Sequence, residues 1–448
     1  MIFTASRVPD PAVRRLTTTL YGYAFLTDLV LLYPLYVVFF ADTGLSVGQI
    51  SSLFVIWSAA GILFEVPSGA WADVVSRRLL LCLAPLVTAA GYAFWMLLPS
   101  YPAFAAGFLL WGAGGALVSG ALEALVWTEL DRLDAVGRYA RVLGRERTAG
   151  VLGVVAAGVL AGPVLAVGGY PAVGAASVLA CLLAAAVATR FPEHRPPAVP
   201  PAPAGVPDQA GVPDAATRPL VATVPGKDNP EANLDDDDDL GWWDTLRAGV
   251  TQVRTRPPVR AAVLLVAVVA ADWGALDEYT PLLALDTGVG AQAVPLLLLL
   301  LWAGVTIGGL LAPAGERLGN RGYAALLGLV GVALAGGALT GHPAGFALLA
   351  VAFGAAQLAT VLADARLQAR ITGTSRATVT SLAGMATDVL IIGTYACYGL
   401  VATAAGNAVA FAVTAGPYLI VALVLLRRRG RPAAVPTDVT AAAARGAD

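Results

Sequence analysis

Phe64-Glu65-Val66-Pro67-Ser68-Gly69-Ala70-Trp71-Ala72-Asp73-Val74-Val75-Ser76-Arg77-Arg78 is a short polar knot between two long apolar runs. Gly69, Asp73, Arg77 and Arg78 are spaced in it as G-x-x-x-D-x-x-x-R-R. A tight turn at a helix end favours glycine. An acid beside such a turn can receive helix N-terminal amides. Paired arginines at a membrane border hold that border on the cytoplasmic side. A weaker copy lies about 244 residues downstream, Ala312-Pro313-Ala314-Gly315-Glu316-Arg317-Leu318-Gly319-Asn320-Arg321. Two copies of one gate-like turn in two apolar halves point to a transporter built by duplication. Glu316, Arg317 and Arg321 are the gate candidates of the second copy.

The rest of the chain agrees with a membrane protein. Of its 448 residues 58% are hydrophobic and only 13% charged, and the mean hydropathy is +0.74. A soluble domain of this size does not carry so little charge and so many long apolar runs. The net charge of -2 matters less than where the 28 Lys and Arg sit. They cluster in every second loop: from Arg7 to Arg15, at Arg77/Arg78, from Arg132 to Arg147, from Arg190 to Arg260, at Arg317/Arg321, from Arg366 to Arg376, and in the tail from Arg427. The intervening loops, around Asp42, Pro99, Gly169, Asp286, His342 and Gly406, hold none. By the positive-inside rule both termini and the central loop are expected in the cytoplasm, with an even number of spans.

Apolar runs of about 20 residues place spans near 16–40, 46–70, 79–98, 102–127, 145–168 and 171–190, then near 258–284, 291–313, 322–340, 344–364, 377–403 and 407–426. The expected fold is all-α, twelve transmembrane helices as two six-helix pseudo-symmetric bundles, residues 1–191 and 257–428. Residues 192–256 are a cytoplasmic linker. Its Pro/Ala-rich stretch and the acidic run Asp235 to Asp239 cannot bury a core, so disorder is expected there and in the tail 429–448. The acidic run lacks the spaced ligands and turn glycine of a calcium loop. Trp242-Trp243-Asp244-Thr245-Leu246-Arg247 begins a short amphipathic helix near 242–254, suited to the interface.

The offset of the repeat carries Asp42-Thr43-Gly44 onto Asp286-Thr287-Gly288, and Asp28 onto Asp272. Asp28, Asp272 and Asp388 lie near the middle of their spans, where a charge costs about 3 kcal/mol on insertion scales. No span holds a mid-membrane Lys, Arg or His to neutralise them. Such acids are either protonated or face water, and a carboxyl in a partly dry cavity titrates nearer the physiological range. That is what a proton-coupled carrier needs. Repeat symmetry leads us to expect Asp28 and Asp272 to face each other. Glu123, Asp277 and Glu278 are further coupling candidates. The structural alternative is a protonated or cavity-hydrated carboxyl with a structural hydrogen bond for Asp28, Asp272 and Asp388, and interface solvation for Asp277 and Glu278.

Tyr33, Trp57, Trp111, Trp273, Tyr279, Gln357 and Tyr395 are candidates to line an aromatic, sparsely polar cavity, although most such residues in membrane proteins serve belts and packing. Acids without cations suit a cationic or neutral apolar substrate; an anion would want Arg. Cys82, Cys181 and Cys397 are unpaired in apolar runs, and no metal or cofactor site is expected. There is no G-x-S-x-G, H-E-x-x-H or P-loop, so the chain is not expected to be an enzyme or an ATP-driven pump.

Over nearly its whole length the chain resembles the major facilitator superfamily, chiefly through Gly69-x-x-x-Asp73-x-x-x-Arg77-Arg78. Two positions depart from the family pattern: Val74 stands where a basic residue is usual, and Ser76 where a glycine is. Glu65-Val66-Pro67-Ser68-Gly69 and Ser119-Gly120-Ala121-Leu122-Glu123-Ala124 resemble a bacterial subset rich in exporters. Gly158-x-x-x-Gly162-Pro163 resembles the motif of drug–proton antiporters, with the trailing Gly-Gly displaced to Gly168-Gly169; ordinary small-residue packing is the alternative. The basic residue that antiporters often carry in the fourth span is replaced by Phe108. The resemblance implies a proton-coupled secondary transporter in the plasma membrane, exporting a hydrophobic neutral or cationic molecule. Its partners would be a small molecule, protons and lipid, with no nucleic acid, and it would act as a monomer. The alternatives are a proton-symport importer and, from another class, a non-transporting membrane sensor or scaffold.

Overall fold

The computed structural model describes residues 11–194, 242–371 and 376–427; over 65–74, 242–246, 248–249 and 377 it describes the backbone alone. Every regular element among them is helical. The first half runs α1 (Pro11–Asp28), α2 (Tyr36–Asp42), α3 (Val47–Val74), α4 (Arg77–Leu97), α5 (Tyr101–Val118), α6 (Ala121–Arg132) and α7 (Tyr139–Ala188). After α8 (Trp242–Thr255), the second half runs α9 (Pro257–Asp277), α10 (Thr280–Asp286), α11 (Val294–Leu310), α12 (Ala312–Gly315), α13 (Asn320–Leu339), α14 (Gly345–Gln368), α15 (Arg376–Ala405), α16 (Asn407–Thr414) and α17 (Gly416–Arg427).

Nine helical stretches among the described residues are long and apolar enough to cross a membrane. The sequence led to an expectation of twelve, and the difference has local causes. Val136–Ala188 counts as one stretch, but Gly169 at φ +63 splits α7 into two helices. A side chain is strained at that φ, and Pro171 two residues on cannot donate to a continuing ladder. Val294–Leu310 is shorter, at 17 residues. The first segment is broken between α1 and α2, where Pro34 removes a donor and disfavours helical backbone at Tyr33. Ser177 Oγ accepts the loosened Leu32 N–H at 2.9 Å. The break between α9 and α10 has the same origin. Pro281 leaves the Asp277 carbonyl without its helical donor, and Thr280 Oγ1 donates to it at 2.7 Å.

The ends of α7 and α9 that flank the linker define one end of the molecule; α2 and α10 run to the far end. There the repeat noted in the sequence is visible as geometry. Gly44 and Gly288 both take left-handed backbone, at φ +92 and +85. Thr43 and Thr287 each bond a carbonyl three residues back, at 2.8 and 2.7 Å. Asp42 accepts from Tyr170 Oη at 2.5 Å, and Asp286 from Asn407 Nδ2 at 2.8 Å. Each aspartate thus ties the first segment of its half to the helix that begins the last.

Lipid offers helices no hydrophobic drive to associate, so close packing must do it, and small residues allow it. A Cβ on Gly308 of α11 would fall on the Gly354 carbonyl of α14, and one on Gly354 would fall on the Gly304 carbonyl. The halves meet through α3 against α15 and α7 against α11. Gly158 packs under Leu299, and Gly162 lies against the Gln292 carbonyl. The Gly158-x-x-x-Gly162-Pro163 motif is therefore the seat of an inter-half helix contact.

Candidate functional site

A cavity of about 920 Å³ opens between the halves. Its first-half wall includes Tyr23, Thr27, Asp28, Tyr33, Tyr92, Trp111, Glu146 and Cys181; its second-half wall is Leu299, Trp302, Ala303, Val305 and Thr306. No Lys, Arg or His is among the described lining residues. Asp28 ends α1 with its carboxyl exposed and set against Gly150 of α7, where a Cβ would collide with it. Glu146 lies one turn before Gly150, so it projects from the same face of α7.

Aromatic rings build much of the remaining wall. Trp111 stacks on Trp57 at 5.0 Å and 25°, and on Phe108 at 6.0 Å and 10°. Trp95 pins the cluster from behind by donating Nε1–H to the Phe104 carbonyl at 3.1 Å. Such ring pairs contribute about 0.5–1.5 kcal/mol each beyond the area they cover. Phe108 is fully buried in this cluster.

The cavity is roofed toward the far end by side chains that, apart from Trp302, bond across the two halves. Tyr33 Oη donates to Asp277 Oδ2 and Trp302 Nε1 to Asp277 Oδ1, both at 3.3 Å. Tyr36 Oη donates to Glu278 Oε2. Tyr279 Oη donates to Ser51 Oγ at 2.8 Å and lies 3.5 Å from the Tyr395 carbonyl. Tyr33 and Asp277 are separated by 244 residues, the repeat offset itself, so this bond joins two pseudo-equivalent positions across the axis.

Several expected residues stand elsewhere. Asp272 does not face Asp28. It is buried at 7% exposure between α9 and α15, where Thr394 Oγ1 donates to Oδ1 at 3.0 Å and Oδ2 has no partner. Each aspartate turns toward the fifth segment of its own half, because that is the helix its own helix packs on. Of the seven cavity candidates, Tyr33 and Trp111 line the cavity. Trp57 stands behind Trp111. Tyr279 and Tyr395 belong to the roof, in van der Waals range of Phe54. Trp273 donates to Thr360 Oγ1 at 3.1 Å inside the second half, and Gln357 packs near Gly309. Glu123 is exposed on α6, and Asp388 is half-buried on α15.

At the linker end the side chains of Gly69 and Asp73 lie outside the described residues, as do the acidic run and the tail; their backbone positions place both residues inside α3. Arg77 Nη1 donates to the Ala124 carbonyl at 3.1 Å and Thr128 Oγ1 at 2.9 Å, bracing α4 on α6 within one half. Arg78, Glu316, Arg317 and Arg321 are exposed. The bracing cation of the second half is instead Arg366, which donates to the Leu318 carbonyl at 3.1 Å and lies 3.9 Å over the Tyr323 ring. Sequence reading also missed Glu146, because Arg145-Glu146-Arg147 looks like a solvated loop until α7 is seen to start two turns earlier. Glu193 was missed too: it accepts from the Arg77 amide at 2.7 Å, while His194 Nδ1 lies 3.0 Å from Glu129.

Comparison with known proteins follows the same lines. The chain matches the family model described as Major Facilitator Superfamily over residues 19–314. No curated protein matches it. Among solved structures it is similar to the nucleoside transporter NupG, at TM-score 0.70 and 11% identity over 92% of this chain and 98% of that one. It is similar to a bacterial homolog of the human lysosomal transporter Spinster, in an inward-facing and occupied conformation, at TM-score 0.66 and 14% identity over 96% and 100%. It is also similar to the POT family transporter PepTSo, at TM-score 0.61 and 12% identity over 94% and 98%.

Proposed function

The chain belongs to the Major Facilitator Superfamily, and from that membership we propose that it is a proton-coupled exporter of a hydrophobic neutral or cationic small molecule. That it is a multi-pass membrane transporter and not an enzyme follows from the family. One observation carries the finer reading: the cavity between the halves holds two carboxyl groups and stacked aromatic faces. A cation leaving water needs opposite charge or a π face, and this wall offers both.

In this reading six spans of each half, twelve in all, rock about the cavity. The arginine-bearing linker end faces the cytoplasm of a plasma membrane, the far end faces outward, and the protein acts as a monomer. The far end is closed by the roof, so the cavity is reached from the cytoplasm. Cargo would rest between Asp28 and Trp111. Proton and cargo then favour different states, since only differential affinity can drive the switch.

The test is uptake of a lipophilic cation such as ethidium into everted and right-side-out vesicles under matched pH gradients. Export predicts gradient-driven accumulation in everted vesicles alone. Accumulation only in right-side-out vesicles makes the protein an importer, and the absence of gradient dependence in both removes proton coupling.

A further inference from the structure

The roof is more than packing. Two carboxyl groups on consecutive residues, Asp277 and Glu278, are shut into the interface, each held by a phenol of the opposite half. Among the described residues neither makes an ion pair. Two adjacent carboxylates removed from water without a cation repel each other and lose their hydration, so the pair cannot stay fully charged there. The groups facing the pair are themselves neutral: Tyr33 and Tyr36 from the first segment, Trp302 from α11, Tyr279 beside it, and Tyr395 from α15.

Location makes these acids unlike the others. Asp28 and Asp272 bear on partners in their own half, and rocking of the halves leaves those partners in place. The Asp277 and Glu278 bonds must break when the far end opens. A group couples to a conformational change only through what differs between the two states. Tyr33 and Trp302, which hold Asp277, also line the cavity. Asp277 is therefore one hydrogen bond away from any cargo that touches those rings.

Resting on the alternating-access reading above, we propose that Asp277 and Glu278, clasped by Tyr33 and Tyr36, are the far-end gate and that the gate opens when the pair gives up its protons. With the protons in place the carboxyls accept from the phenols and the interface stays dry. When both protons leave past Tyr33 to water in the cavity, the two adjacent carboxylates repel, the phenol bonds are replaced by water, and the halves part at this end. Reprotonation from the far side recloses it. Cargo pressing on Tyr33 and Trp302 favours the same opening by disturbing the donors to Asp277.

The test uses full-length purified protein with Cys82, Cys181 and Cys397 replaced by serine. Spin labels are placed at Ser46→Cys and Gly290→Cys, exposed positions at the far end of opposite halves. The distance between labels should lengthen in one step as pH rises. In the Asp277→Asn/Glu278→Gln variant, which keeps neutral hydrogen-bonding groups, it should stay short at every pH. Tyr36→Phe should move the step toward acid pH, because the clasp is weaker. A step that persists in the double variant, or one that does not move in Tyr36→Phe, overturns the proposal. Ethidium binding, read by fluorescence on the same samples, separates this from the cavity reading. Binding kept in the clasp variant and lost in Asp28→Asn upholds the cavity whatever the labels do. Loss of binding from all samples removes the cavity reading while the label distances still decide the gate.

Discussion

In the proposed reading Asp28 is the carboxyl that meets a cationic cargo. Its carboxyl is open to the cavity and has no cation beside it among the described residues. Asp28→Asn removes the charge and keeps the shape. We expect it to weaken ethidium binding about tenfold or more, equivalent to roughly 1.4 kcal/mol, as measured by fluorescence titration. Glu146→Gln should weaken the same binding, and the two effects should be non-additive because both residues serve one cavity. A shared tenfold loss with full additivity would place the two acids in separate sites. At this scale the sequence was informative about residue type and poor about direction. The absence of cations in the spans marked Asp28 as needing a reason. It could not show that Asp272, its repeat mate, would be enclosed with Thr394 instead of facing it.

At the scale of elements, the contact of α7 with α11 sorts two glycines that look alike in sequence. A Cβ on Gly162 meets the Gln292 backbone carbonyl, which cannot move aside; one on Gly158 meets the Leu299 side chain, which can change rotamer. Overpacking costs about 1–3 kcal/mol. Gly162→Ala should fall at the upper end and Gly158→Ala near or below the lower, read as the order of thermal unfolding in detergent. The reverse order would mean that α11 does not sit on α7 as described. The brace at Arg77 sorts another pair. Arg77→Ala loses two hydrogen bonds to α6, about 1.5 kcal/mol after allowing for its half-exposed position. Arg78→Ala, on an exposed side chain, should leave unfolding unchanged. Helix existence was readable from run length alone. The breaks at Pro34 and Pro281 were not used as breaks, because a proline in an apolar run marks either a kink or an end until the neighbouring segment is placed.

For the whole molecule, the two-half architecture explains why the linker can be long. The halves meet through α3, α7, α11 and α15, and the composition of residues 200–235 cannot bury a core. Deleting 200–235 should leave vesicle transport within about twofold of the parent, a change of well under 1 kcal/mol. Loss of transport with intact folding would favour the sensor or scaffold alternative. The start of the linker is different. Glu193 accepts from the Arg77 amide and His194 bonds the Glu129 carboxylate, which is 1% exposed. A deletion that takes in Glu193 and His194 should therefore lower stability where the first one does not.

The sequence by itself determined the class of protein, the apolar runs, the twofold repeat and the lack of cations in the spans. These depend on local composition and on spacing along the chain, and lipid enforces them residue by residue. The knot at Gly69 to Arg78 was enough to point to the family. Tertiary structure alone decided which acids share a cavity and which lock a roof. The bonds that make the roof join residues 228, 242 and 244 positions apart. Nothing local selects them; they exist because two similar halves dock face to face, and docking brings Tyr33 to Asp277 while leaving Asp28 and Asp272 each against its own half.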